Sequence, residues 1–132
     1  RLENHYTYSV DGGRTFSKPQ STGIMGQASG ITALGGEKLM VTYSIRRDTD
    51  KPGIYAHIVD FSRRGWDVLS YEPVWMPPFE VKQDKSMAET FAYLKFGQPC
   101  GILLKNGNVL MTNWVTEDGR SKTVATVMKV NF

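Results

Sequence analysis

The sequence predicts an all-β fold built from antiparallel strands. Short runs of alternating apolar and polar residues, glycine-containing turns between the runs, and an internal repeat support this prediction. Thirteen glycines and six prolines in 132 residues are typical of a chain with many turns. At this length the chain is nominally one domain.

The first strand is expected at residues 5–10, where aromatic and small polar residues alternate in the order HYTYSV. After a turn, residues 17–20 are predicted to form an edge strand. Pro19 supports the edge position, because proline has no N–H to donate to an interior ladder. Residues 1–24 are therefore interpreted as the last two strands of a sheet.

The turn that joins these two strands has a chemical explanation at each key position. The side chains of Ser9 and Asp11 can accept hydrogen bonds from backbone N–H groups within it. Gly12 and Gly13 allow the positive φ that a tight hairpin requires. Phe16 is expected to pack under the turn as an aromatic plug. These residues are predicted to be structural rather than catalytic.

A complete four-stranded antiparallel sheet is predicted over residues 25–76. Gly35 and Gly36 supply the turn of its first hairpin, and residues 60–66 occupy the place of a second, degenerate copy of the 9–16 turn. His57 and the three tryptophans are expected to be packed. The strands are predicted at 30–34, 39–45, 53–59 and 68–75, and the tryptophans are Trp66, Trp75 and Trp114.

An internal repeat extends the pattern to the end of the chain. The segment 26–31, with the pattern GQxxGI, recurs 71 residues later at 97–102, and further matches follow it. Self-similarity of this kind is typical of stacked or radial β-repeats. Residues 97–132 are thus predicted to form the first three strands of a further sheet. The connection at 77–96 is long, and part of it is compatible with a helical turn.

Residues 9–16 match the pattern Ser/Thr-x-Asp-x-Gly-x-x-Trp/Phe, which is the Asp-box. Together with the order of strands that follows, the sequence resembles the Asp-box (BNR-repeat) β-propellers of the sialidase (neuraminidase) superfamily, especially their C-terminal portion. The resemblance implies four-stranded blades, of which about two are present here, as a fragment of a six-bladed propeller. It implies a sialidase-like exo-glycoside hydrolase that removes terminal sugars from glycans. A non-catalytic propeller that binds a glycan or a protein is the alternative.

The resemblance also indicates where a substrate would lie. In that family the substrate face is formed by the loops after the second and fourth strands of each blade, and the Asp-boxes lie on the opposite rim. The long connection supplies Glu89 to this face as the candidate catalytic or sugar-binding carboxylate. The candidate substrate-binding residues are Gln27, Arg46, Arg47, Gln98, Glu117, Asp118 and Arg120.

Each candidate also has a simpler interpretation. The amides of Gln27 and Gln98 can hydrogen-bond sugar hydroxyls, or they can tie neighbouring blades together. The loop charges can contact an anionic or polar glycan, or they can simply be solvated. The family's nucleophilic tyrosine has no counterpart in the two inner-strand segments 25–30 (MGQASG) and 96–101 (FGQPCG).

Composition points to few other partners. Sixteen basic and thirteen acidic residues are spread along the chain, a balance that predicts no nucleic-acid partner. No apolar run reaches about 18 residues, so no membrane insertion is expected. Cys100 is the single cysteine, and with two histidines it predicts no metal site and no cofactor. Missing blades are expected from the rest of a longer chain or from self-association. An exported or periplasmic location is implied by the resemblance alone.

Overall fold

The computed structural model describes residues 3–47, 49–81 and 95–131, and within these ranges the chain is all-β and contains no helix. It follows that no helix in these ranges could cross a membrane. The strands are β1 (His5–Tyr6), β2 (Gln20–Ser21), β3 (Gln27–Gly35), β4 (Lys38–Ile45), β5 (Gly53–Asp60), β6 (Asp67–Trp75), β7 (Phe96–Leu103), β8 (Val109–Glu117) and β9 (Arg120–Met128).

The strands form three antiparallel sheets in which hydrogen-bonded neighbours are consecutive in the sequence. The first sheet is β1–β2, the second is β3–β4–β5–β6, and the third is β7–β8–β9. The predicted four-stranded and three-stranded antiparallel sheets are therefore observed. The predictions of strands at 5–10 and 17–20 were too long or displaced, since pairing in the first sheet is confined to His5–Tyr6 and Gln20–Ser21.

The turn at 9–16 is held by its own side chains, as the sequence predicts. Ser9 Oγ accepts a hydrogen bond from Gly13 N at 2.8 Å, and Asp11 Oδ1 accepts from Arg14 N at 3.0 Å and Thr15 N at 2.9 Å. The Thr15 hydroxyl donates to Asp11 Oδ2 at 2.5 Å. These bonds, those from Thr15 above all, lower the pKa of Asp11 to about 2 because they favour the charged carboxylate.

The prediction that Phe16 plugs this turn was wrong, because its side chain is 63% exposed. The corresponding aromatic of the second turn, Trp66, is half-buried and stacks on Tyr6 with ring centroids 4.7 Å apart. Tyr6 and Tyr8 also meet the ring of Phe61 edge-on. Trp66 is covered because the first sheet stands against it. No comparable surface faces Phe16 in the described ranges.

The second sheet is buried on both faces. One face carries Val41 and Tyr43, which form a cluster with Val59 and with the half-buried Trp66 on the side of the first sheet. The other face carries Met40, Ile54 and Ile58 among its buried residues and packs against the third sheet. Residues of the third sheet at this interface are Phe96, Val109, Met111 and Val115. The three sheets thus stand side by side in chain order.

The spacing of the structural repeat is 70 residues, so the 71-residue match in the sequence is one residue out of phase. Ile31 pairs with Val41, and 70 residues further on Gly101 pairs with Met111. A shift of one residue turns a side chain to the opposite face of a strand. Residues 39–41 are apolar on both faces of β4, so matching letters could not fix the phase. Gln98 is accordingly not the structural counterpart of Gln27.

With the phase corrected, the third sheet packs on the second as the second packs on the first. Val41 lies on the face toward the first sheet, and its counterpart Met111 lies on the face toward the second. Equivalent faces therefore point in the same direction along the row of sheets.

Glycines allow the innermost strands β3 and β7 to approach closely. A Cβ atom on Gly30 would lie 2.5 Å from the carbonyl oxygen of Pro99, and a Cβ on Gly101 would lie 2.6 Å from Thr32 Oγ1. Real Cβ contacts are essentially never so short. Only glycine fits at these two positions without a shift of the neighbouring strand.

Candidate ligand-binding site

The candidate substrate residues gather at one end of the second and third sheets. At this end β3 and β7 begin while β4 and β8 finish, as the pairs Gln27–Ser44 and Phe96–Val115 indicate. The Arg46 guanidinium reaches from the second sheet to the third and donates from Nη1 to the Phe96 carbonyl oxygen at 3.0 Å. The two sheets therefore present the same end to a ligand.

Gln27 has a local structural role. Its Oε1 accepts a hydrogen bond from the backbone N–H of Arg46 at 3.0 Å, which holds the chain where it leaves β4. The β3–β4 register is irregular between Gln27 and Ser29. A bulge of this kind bends the strand at the end of the sheet. The amide oxygen of Gln27 is thus engaged within its own sheet.

Arg46 ties the second sheet to the third. Its side chain is half-buried, and its Nη1 would lie 2.8 Å from a Cβ atom added to Gly97, so the guanidinium crosses directly over the start of β7. Burial, and then the charge of Arg47, lower the pKa of Arg46. The Trp114 ring lies on the same glycine, at 3.4 Å from that Cβ position. Arg46 therefore acts first as a structural link.

Gln98 combines backbone strain with exposure. Its φ is +50°, the left-handed region in which side chains other than glycine are disfavoured. The β7–β8 register breaks between Gly97 and Cys100, so Gln98 lies in the irregular part of β7. The other non-glycine residues with positive φ, Glu37, Arg64 and Asp118, lie outside the strands. Strained residues within regular structure cluster at functional sites.

The charged residues 117–120 form a tight hairpin rather than an open loop. Glu117 pairs with Arg120, and the two central residues, Asp118 and Gly119, have φ of +51° and +72°. Positive φ at both central residues is the two-residue turn that an Asp-Gly sequence favours. Lys122 Nζ lies 3.9 Å from Glu117 Oε2 in a solvent-accessible pair. The Asp-Gly pair was the available sequence signal for this turn.

Arg47 lines a groove that the sequence did not predict. The groove has a volume of about 340 Å³ and is bordered by Arg47, Thr49, Met25 and Tyr71, together with Gly23, Ile24 and Ile45. Tyr71 is 45% exposed and stacks on Tyr55 with ring centroids 5.3 Å apart. An aromatic ring fixed beside a guanidinium and a hydroxyl offers contacts of the kind that a sugar uses. Cross-strand packing concealed Tyr71, because its spacing in the sequence is that of an ordinary strand residue.

Glu89 lies outside the described residues, so its predicted role stays a prediction. Within residues 3–47, 49–81 and 95–131, no three histidine, cysteine, aspartate or glutamate side chains are grouped so that they could hold a metal ion. Trp75 and Trp114 are half-buried in strands, and the Trp75 ring packs on Phe96 at 5.3 Å. His57 is buried as predicted, at 2% exposure.

The buried His57 makes stability depend on pH. Its ring lies edge-on to Tyr71 at 4.2 Å and to Tyr43 at 5.4 Å, and neither ring nitrogen has a hydrogen-bond partner among the described residues. Burial lowers the pKa of His57, so the unfolded chain binds a proton first as the pH falls. The contribution of His57 is complete above the unfolded pKa of about 6.5 and declines below it, by at most about 1.4 kcal/mol per pH unit.

We therefore expect urea unfolding at pH 7.5, 6.5 and 5.5 to show wild type losing stability relative to His57→Phe. The phenylalanine retains an aromatic ring between the two tyrosines but does not titrate, and other titrating groups cancel in the comparison. A difference between the two proteins that stays constant over this pH range would contradict the prediction.

Comparisons with known proteins show the fold and no more. No family model matches the chain, and no curated protein matches it. A crystal structure of a protein of unknown function from Dyadobacter fermentans DSM 18053 is similar, with a TM-score of 0.65 and 18% identity. The match covers 95% of this chain and 30% of that protein, so the chain spans less than a third of its structural neighbour.

Proposed function

We propose that the chain is part of a sialidase-like Asp-box β-propeller and that it forms one wall of a glycan-binding site in an exo-glycoside hydrolase. The side-by-side packing of sheets through equivalent faces supports the propeller. The self-bonded turn around Asp11 supports the Asp-box relationship. Neither feature depends on the catalytic residues, which we expect in other parts of a longer chain.

The observation that carries the binding site is the strained, exposed Gln98 at the end where the sheets converge. Holding a non-glycine residue in the left-handed region costs roughly 1–2 kcal/mol. A side chain that is neither buried nor needed for packing gives no return for that cost unless it meets a ligand. An amide donates and accepts hydrogen bonds, which suits sugar hydroxyls.

The Gln98→Gly variant separates binding from structure. Glycine relieves the positive φ and removes the amide, so we expect glycan affinity to fall about tenfold while stability is unchanged or rises by up to about 1 kcal/mol. Glu37→Gly is the matched control, because Glu37 has a φ of +63° and lies in the β3–β4 turn at the opposite end of the second sheet. Retained affinity in Gln98→Gly, or an equal loss in Glu37→Gly, would contradict the role of Gln98.

The function itself is tested with the longest natural protein that contains this chain. Release of a fluorogenic aryl group is measured from a sialic-acid glycoside and from a panel of neutral glycosides, alongside binding to a glycan array. Turnover of the sialoside supports a sialidase, and turnover of a neutral sugar alone supports another exo-glycosidase. Neither turnover nor glycan binding by the folded protein would overturn the proposal.

A non-catalytic propeller that binds glycans is the second candidate. It is favoured by the engagement of two candidate contacts in structure: Gln27 bonds the backbone of Arg46, and Arg46 bonds the Phe96 carbonyl. Glycan binding that depends on Gln98, with no turnover of any glycoside, would select this candidate.

A further inference from the structure

The third sheet has an open position beside β9. In the described part of the chain, β9 pairs with β8 on one edge and with no strand on the other. Val41 of β4 pairs with His57 of β5, and its counterpart Met111 pairs with Thr126 of β9. Strand β9 therefore holds the position in the third sheet that β5 holds in the second. Strand β6 fills the next position in the second sheet.

The free edges of β6 and β9 differ in how they are protected. Strand β6 contains Pro73, and its pairing with β5 is irregular at two places. Proline and bulges are common devices that prevent an edge strand from pairing further. Strand β9 keeps an unbroken register with β8 over nine residues and contains no proline. Its charges, Arg120 and Lys122, lie near its start, and residues 123–128 (TVATVM) carry none.

A cleft lies along this unprotected half of β9. It has a volume of about 480 Å³ and separates residues 126–131 from residues 70–74 at the outer side of the second sheet. The buried side chains of Met40, Ala56 and Ile58 line it, with Val74 and Met128. A strand paired with β9 would direct every second side chain into the cleft, because successive side chains of a strand point to opposite faces.

We infer that the free edge of β9 and the adjoining cleft are a docking site for an extended polypeptide strand with apolar side chains at alternating positions. Backbone pairing with β9 supplies affinity, and the apolar cleft selects the side chains. The docked strand continues the interface between the second and third sheets, since Val74 and Met128 already contribute to that core. The inference rests on strand order and burial and is independent of the proposed glycan site.

The test uses a synthetic peptide with the β6 sequence, Asp67–Trp75, which fills the equivalent position of the second sheet. Titration into isotope-labelled protein is expected to shift the backbone amide resonances of residues 120–128 and to slow their hydrogen exchange at least about tenfold. A scrambled peptide of the same composition is expected to do neither. No response in β9, or a response confined to β6 or the first sheet, would overturn the inference.

Two further arms keep the result independent of folding. Val74→Asp places a carboxylate in the cleft and should weaken peptide binding at least about tenfold, whereas Val10→Asp, in the exposed turn at 9–16, should not. If Val74→Asp does not fold, two peptides methylated on alternate backbone amides, one for each edge, replace it. Only the peptide methylated on the pairing edge should lose binding; equal behaviour of the two would overturn the inference.

Discussion

Replacing Gly30 with alanine is expected to lower the free energy of unfolding by about 3 kcal/mol, at the upper end of the usual cost of overpacking. The added Cβ would lie 2.5 Å from the Pro99 carbonyl oxygen, which belongs to the backbone of β7 and cannot swing aside as a side chain could. The strands β3 and β7 must therefore separate, and the contact between the second and third sheets loosens. Urea unfolding followed by tryptophan fluorescence measures the change.

Gly65→Ala is the control for this prediction. No atom lies within 4 Å of a Cβ built on Gly65. Its effect on stability should stay below about 1 kcal/mol, because only the freedom of the unfolded chain changes. If both variants lose the same stability, close approach of the inner strands is not what Gly30 provides.

Arg46→Met and Arg47→Met are expected to behave differently although the residues are adjacent. The first removes a charged donor from the half-buried Phe96 link between sheets and should cost about 2 kcal/mol of stability. The second changes a residue that borders an open groove and should cost under about 1 kcal/mol. Methionine keeps much of the aliphatic length in both cases, so the comparison isolates the guanidinium.

Ligand binding should reverse the order of these two variants once stability is accounted for. On the proposed function, Arg47→Met lowers glycan affinity about tenfold at a temperature where both variants are folded, and Arg46→Met lowers it less. A smaller loss of stability in Arg46→Met than in Arg47→Met would contradict the structural link. Equal glycan affinities would remove Arg47 from the proposed binding wall.

Local features of the fold were readable from the sequence. The turn around Asp11 depends on side chains bonding to a backbone a few residues away, so its residue order suffices to predict it. The hairpins of the second and third sheets likewise follow from short alternating runs and glycine-containing turns. The burial of His57 agreed with its place inside an apolar strand.

Features that depend on a facing surface were not readable. Phe16 and Trp66 hold similar places in similar turns, yet only Trp66 has a ring, that of Tyr6, stacked on it. The phase of the repeat depends on which face of β4 meets which sheet, and residues 39–41 are apolar on both. Arg46 looked like a loop charge because its partner, the Phe96 carbonyl, lies 50 residues away in the sequence.

The consecutive order of strands also bears on how the chain folds. Each strand of the second and third sheets pairs only with strands next to it in the sequence, so every pairing closes a short loop at little entropic cost. Each of these sheets can therefore zip up from one hairpin to the next. During synthesis, the second sheet has all four strands before β7 is made, and it can serve as the template on which the third sheet condenses.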